Sequence, residues 1–167
     1  MPPGTESSAT TPVVIRTAAA ADAGEILTLQ RAAWVPEAQL HEWLFIPPLT
    51  QTLAGVHEDI ATQTVLVALA GHRVVGTVRG VRTGGGTGTD WYIGRLGVVP
   101  DLQARGLGSA LLRAIEAAAP TEVRRFVLTT GPKSVENHAF YERHGYHQVP
   151  APDPDDVLVH LHKERSA

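Results

Sequence analysis

The sequence predicts an α/β fold in which helices are layered on a sheet within one domain. Three observations carry that expectation. Short β-branched runs alternate with stretches of helical spacing along most of the chain. Those stretches end at recognisable stops, such as Pro120 and Gly145. At 167 residues the chain is long enough for one buried core and short for two. Composition agrees: 43% hydrophobic and 19% charged residues is the balance of a folded chain.

Residues 1–12, rich in Pro, Ser and Thr, read as a disordered tail, with the folded domain running from 13 to 167. Val13-Val14-Ile15 is a short strand, and Ala20 to Ala33 a helix carrying Ile26, Leu27 and Leu29. Trp34 to Pro48, carrying Trp34, His41, Trp43, Pro47 and Pro48, reads as irregular, and Leu49 to Ala61 returns to helix. Trp34 and Trp43 in this stretch have two open readings, lining a pocket or capping the core. Thr64 to Leu69 and Val74 to Val81 form a hairpin about Gly71-His72. A glycine-rich connection, Gly84 to Gly88, leads into a strand from Asp90 to Val99. It has neither the Gly-Lys-Ser/Thr ending nor the following helix of a phosphate-binding P-loop. Gly106 to Ala119 is an amphipathic helix through Leu107, Ala110, Leu111, Ile115 and Ala118. Arg125 to Thr130 is a strand, Ser134 to His144 a helix capped by Gly145, and Val157 to His162 a final strand.

Charge and cysteine count exclude several classes of function. A formal net charge of −3 supplies no basic field for sequence-independent nucleic-acid binding. With no cysteine there is no disulfide, no thiolate metal site and no acyl-cysteine intermediate. The longest apolar run, Val65 to Ala70, is far short of the roughly 20 residues of a membrane-spanning helix. No signal-peptide pattern opens the chain, so no membrane association and a cytoplasmic location are expected. His160 and His162 share a strand face and His144 lies near His147, but no third ligand stands at a zinc-motif spacing, and no metal is expected.

The informative stretch is Leu96-Gly97-Val98-Val99-Pro100-Asp101-Leu102-Gln103-Ala104-Arg105-Gly106-Leu107-Gly108-Ser109. A strand ends at Pro100, and two glycines open a helix whose first-turn N–H groups lack internal partners. With the helix dipole they make an anion site, and glycine lets a pyrophosphate approach the backbone. A dinucleotide-binding reading fits less well, since Leu111 stands at the third fingerprint position and no ribose-binding acid follows about 20 residues on.

Gln103-Ala104-Arg105-Gly106-Leu107-Gly108 resembles the Q/R-x-x-G-x-G/A pyrophosphate motif of the GNAT family of N-acetyltransferases, and the order of elements from about Val14 to Val159 is similar to that family's. The resemblance implies a single-domain three-layer fold with a mixed central sheet of about six to seven strands. It implies acetyl-CoA as acyl donor, with Leu96, Gly97 and Val98 pairing with its pantetheine arm. The turn residues Gln103, Ala104, Arg105, Gly106, Leu107, Gly108 and Ser109 would then hold the pyrophosphate. Ser134 to Tyr146 is similar to the family's next motif block and places the family's tyrosine at Tyr141, whose phenol would protonate the departing thiolate. Either Ser134 or Asn137 stands where the family contacts CoA. The position of the glutamate base of some members holds Tyr92 here, so no base is assigned.

Transfer would be direct from thioester to amine in a ternary complex, which suits a chain without cysteine and needs no metal. The acceptor would be a primary amine of a small molecule or peptide, and Glu37, Glu42, Glu58 and Asp59 either favour a cationic amine or are simply solvated. A homodimer follows from the resemblance alone. Two alternatives stay open: a longer acyl-CoA as donor, and a non-catalytic acyl-CoA sensor.

Overall fold

In the computed structural model, which describes residues 11–84 and 88–166, the expected strands pair into a single sheet. Its seven strands are β1 (Val13–Thr17), β2 (Thr64–Ala70), β3 (Arg73–Thr83), β4 (Asp90–Val98), β5 (Arg125–Thr130), β6 (His147–Val149) and β7 (Val159–Glu164). They lie in the order β1-β2-β3-β4-β5-β7-β6, all neighbours antiparallel except β4 and β5. The parallel pair is joined through the helix α4 (Leu107–Ala117), a crossover that parallel strands require. The tail expected over residues 1–12 falls largely outside the described residues, as does the centre of the glycine-rich loop.

Helices cover both faces. α4 buries Leu107, Leu111, Leu112 and Ile115, and Leu111 reaches the strand at Gly76, where an added Cβ would stand 2.6 Å from its Cδ1. Thr77 and Arg79 alternate to the other face of β3 and meet α1 (Ala23–His41) and α3 (Leu53–Thr62) at Ile26, Gln30, Asp59 and Ile60.

The helix α1 corrects the expected break at Trp34: it runs through Pro36 to His41 and ends on Glu42 at φ 59°. A proline inside a helix costs about 3 kcal/mol or more. Here Ile26, Leu29, Gln30, Ala38 and His41 are all buried at helical spacing, so packing on the sheet outweighs that cost. The expected Leu49–Ala61 helix is divided into α2 (Pro47–Thr50) and α3, the latter capped by Thr52 Oγ1 accepting from Gly55 N–H at 3.1 Å. The short β6 pairs with β7 at the edge of the sheet. α5 (Val135–Arg143) ends at Gly145 with φ 88°, as expected. Tyr146, next in the chain, is buried and donates its hydroxyl to Glu116 at 2.7 Å, which ties α5 to α4.

Candidate active site

The sheet opens in its middle. β4 and β5 pair only at Asp90↔Arg125, Trp91↔Phe126 and Tyr92↔Val127. Beyond Tyr92 the strands part, while Leu128, Thr129 and Thr130 stay paired to β7 on the other side. The cause lies in β4. Opposite β3 its register runs from Arg79↔Gly94 to Thr77↔Gly97, one residue too many on the β4 side. That is a β-bulge, which bends the strand and increases its twist. Arg95, inside it, takes φ 53°, an uncommon angle for a residue other than glycine. On the side away from β3, Ile93 to Val98 thus face a groove of about 1030 Å³ rather than β5.

One end of the groove is the turn into α4. Gly106 sits at the helix N-cap with φ 81°, a conformation that a Cβ disfavours, and the first helical acceptor bond is Ala110 N–H to Gly106 C=O at 3.1 Å. The N–H groups of Leu107, Gly108 and Ser109 therefore lack helical partners at the groove's edge. Gln103 lines the groove and donates its amide to the Val98 carbonyl at 3.1 Å. Of the expected turn residues, Gln103, Ala104, Gly106, Gly108 and Ser109 line the groove. Arg105 is exposed and does not line it, and Leu107 turns its side chain into the core. Leu96, Gly97 and Val98 form the groove's floor.

α5 forms the opposite wall through Glu136, Asn137, Phe140, Tyr141 and Arg143. Tyr141 is half-buried, with its ring edge-on to Phe140 at 5.1 Å and to Tyr146 at 5.7 Å. Burial above all, with added repulsion from Tyr92 and Glu37, pushes its phenol well above the usual tyrosine range. It therefore keeps its proton at any physiological pH. Tyr92 faces it across the parting and hydrogen-bonds Thr129 Oγ1 at 3.1 Å. Asn137 and Ser134 separate clearly. Asn137 is exposed to the groove, its amide 3.4 Å from Thr130 Oγ1, whereas Ser134 is buried and donates to the Glu37 carboxylate.

Several groove residues carried no signal in the sequence. Arg143 belongs to a helix end, where a cation is ordinary, yet it lies one turn beyond Phe140, the side chain closest to Gly108. Glu37 arrives because α1 continues past Pro36. Beside it His41 accepts the Lys133 N–H at Nε2 (3.0 Å), so its Nδ1 carries the ring proton toward the Glu37 carbonyl at 3.0 Å. Gly131 makes room for this approach: a Cβ there would stand 2.4 Å from His41 Cε1. Trp43 stacks on His41 at 4.6 Å, and Trp34 lies against Gly97. Both tryptophans line the groove, which decides between their two readings.

Of Glu37, Glu42, Glu58 and Asp59, only Glu37 lines the groove. Asp59 is consumed by Arg79, by Gln51 at 2.6 Å and by Gln63 at 2.9 Å. The histidine pairs are also engaged, His160 with Asp156 at 2.7 Å and His144 with the Phe140 carbonyl at 2.7 Å. Among the described residues no three His, Asp or Glu side chains converge as a metal site would require, and no helix is long and apolar enough to cross a membrane.

The fold is similar to that of solved acetyltransferases. PaiA N-acetyltransferase from Thermoplasma acidophilum, in complex with coenzyme A, superposes with a TM-score of 0.76 over 92% of this chain and 99% of its own, at 14% identity. The GNAT domain of S. lividans PAT gives 0.74 over 90% and 89%, at 23% identity. A GNAT-family acetyltransferase from Streptococcus pneumoniae gives 0.70 over 93% and 100%, at 19% identity. The sequence pattern of the Acetyltransferase (GNAT) family matches residues 26–146, and the chain belongs to that family.

Proposed function

We propose that this protein is an N-acetyltransferase that moves an acetyl group from acetyl-CoA to a primary amine by direct transfer in a ternary complex. The observation that carries the reading is the parting of β4 from β5, with unpartnered helix N–H groups at one end and the Tyr141 hydroxyl at its wall. An extended pantetheine arm fits against the free edge of β4, as an added strand would. The pyrophosphate then rests on the N–H groups of Leu107, Gly108 and Ser109, with Arg143 supplying a side-chain cation. Asn137, rather than Ser134, faces the bound donor.

The chemistry balances without a covalent enzyme intermediate. The amine nitrogen attacks the thioester carbonyl, a C–N bond forms, and the tetrahedral intermediate breaks its C–S bond. Tyr141 gives its proton to the departing thiolate, a step its raised pKa suits because the phenol is present as the acid. The attacking nitrogen loses its proton toward water or Glu37, a groove carboxylate close enough to Tyr141 for its charge to act there. Residues 13–167 act as the catalytic domain, and a cytoplasmic setting, where acetyl-CoA is available, suits the reaction.

A screen of amines with acetyl-CoA, read as free-thiol release, tests this. Release with at least one amine is expected. CoA binding without thiol release from any amine would leave a sensor in the enzyme's place.

A further inference from the structure

Two guanidinium groups, Arg79 on β3 and Arg95 in the β4 bulge, lie close together and both line the groove, whose lining also includes Tyr92, Trp43 and Ile46. Arg79 is ion-paired with Asp59, whose other contacts come from Gln51 and Gln63. Gln51 is held in turn by Gln30, which donates to its Oε1 at 2.9 Å. This network is complete without Arg95. Among the described residues Arg95 forms no salt bridge, and its Nε is buried with no hydrogen-bond partner. A partly buried cation with no salt bridge and a buried N–H left without a partner is costly and stands out in a native structure.

Burial, then the neighbouring Arg79, lowers the Arg95 pKa to about 10. The guanidinium is still charged at neutral pH, in surroundings that favour a second negative charge. Two cations against the single carboxylate of Asp59 leave one positive charge unmatched. Behind Arg95, toward Gln30 and Thr77, the remaining space is about 10 Å³, enough for a water molecule and no more. A partner anion must arrive from the groove, the side from which the acceptor reaches the thioester.

We propose that the acceptor is an amine that also bears a carboxylate, an amino acid or a close relative, and that Arg95, backed by Arg79, binds that carboxylate while the amine points toward Tyr141. This rests on the acyltransferase reading above and narrows it. A planar guanidinium suits a carboxylate through paired N–H bonds, and Trp43 and Ile46 in the same groove's lining offer apolar surface to the rest of the molecule. The bulge is what turns an ordinary strand arginine into this groove.

The test uses the full chain saturated with CoA and a panel of N-acetylamino acids spanning aromatic, aliphatic, polar and acidic side chains. Each is paired with its neutral primary amide, and binding is read by calorimetry. At least one acid should bind about tenfold or more tightly than its amide, the scale of a charge-assisted contact. Arg95→Gln should erase that preference with CoA affinity unchanged, and Arg95→Lys should restore part of it. Equal binding of every acid and its amide, with CoA bound normally, overturns the proposal. So does an Arg95→Gln variant that loses CoA and acid affinity together, since that places the guanidinium on the donor. Failure of the wild-type chain to bind CoA would instead remove the acyltransferase reading itself.

Discussion

The surroundings of the Tyr141 hydroxyl hold its proton ready, and a half-buried ring packed edge-on keeps it in place. Tyr141→Phe preserves the edge-on contacts with Phe140 and Tyr146 and removes only the acid. Turnover is expected to fall by about 10² to 10⁴-fold, with acetyl-CoA affinity nearly intact. Steady-state kinetics at saturating acetyl-CoA measures this, and a loss within about threefold would remove Tyr141 from the chemistry. Tyr141 was legible because it sits at a fixed place in a helix that ends in Gly145 and Tyr146. Arg95 was not, since nothing about an arginine in a strand foretells a bulge that opens toward the groove. Ser134 and Asn137 could not be separated by position alone. Only the arrival of Glu37 from α1 shows that the serine hydroxyl is already engaged.

At the scale of elements, the proposed binding of CoA centres on the turn from β4 into α4. Gly108 lies on the groove with only Phe140 nearby, where an added Cβ would stand 3.7 Å from its ring. A small side chain would fit, so the harm of Gly108→Asp comes from charge and reach at the helix N-terminus rather than from a core clash. CoA affinity is expected to be lost in a folded protein, checked by calorimetry beside a circular dichroism spectrum. Near wild-type binding by that variant would displace the pyrophosphate from this turn. The two nearby arginines divide differently. Arg105 is exposed outside the groove, so Arg105→Ala should change CoA affinity by less than about twofold. Arg143→Ala, which removes a groove cation, should weaken binding about tenfold, and more at low salt than at high. The turn itself could be read from two glycines at the start of a helix. The division between the arginines could not, because it depends on where α5 lies.

The molecule as a whole is held by a sheet buried on both faces, and Leu111 is at the centre of one of them, with no exposed surface and in contact with β3 at Gly76. Leu111→Ala should destabilise the chain by about 2 to 5 kcal/mol, as large-to-small changes in well-packed cores do. Chemical denaturation would measure it, and a cost under about 1 kcal/mol would show that the site collapses to fill the space. The parallel step between β4 and β5 also belongs to this scale, for it places α4 and α5 on the two sides of one opening. The sequence by itself determined most of the order of elements, the glycine turn that opens α4 and the place of Tyr141 on α5, because local periodicity, glycine placement and helix ends are properties of short segments. Tertiary structure alone decided that α1 runs through Pro36, that β4 bulges at Arg95, and that Glu37, Arg79 and Arg143 share one groove. Each of these depends on burial against residues distant in the chain, where packing outweighs local propensity and brings together side chains that no spacing in the sequence connects.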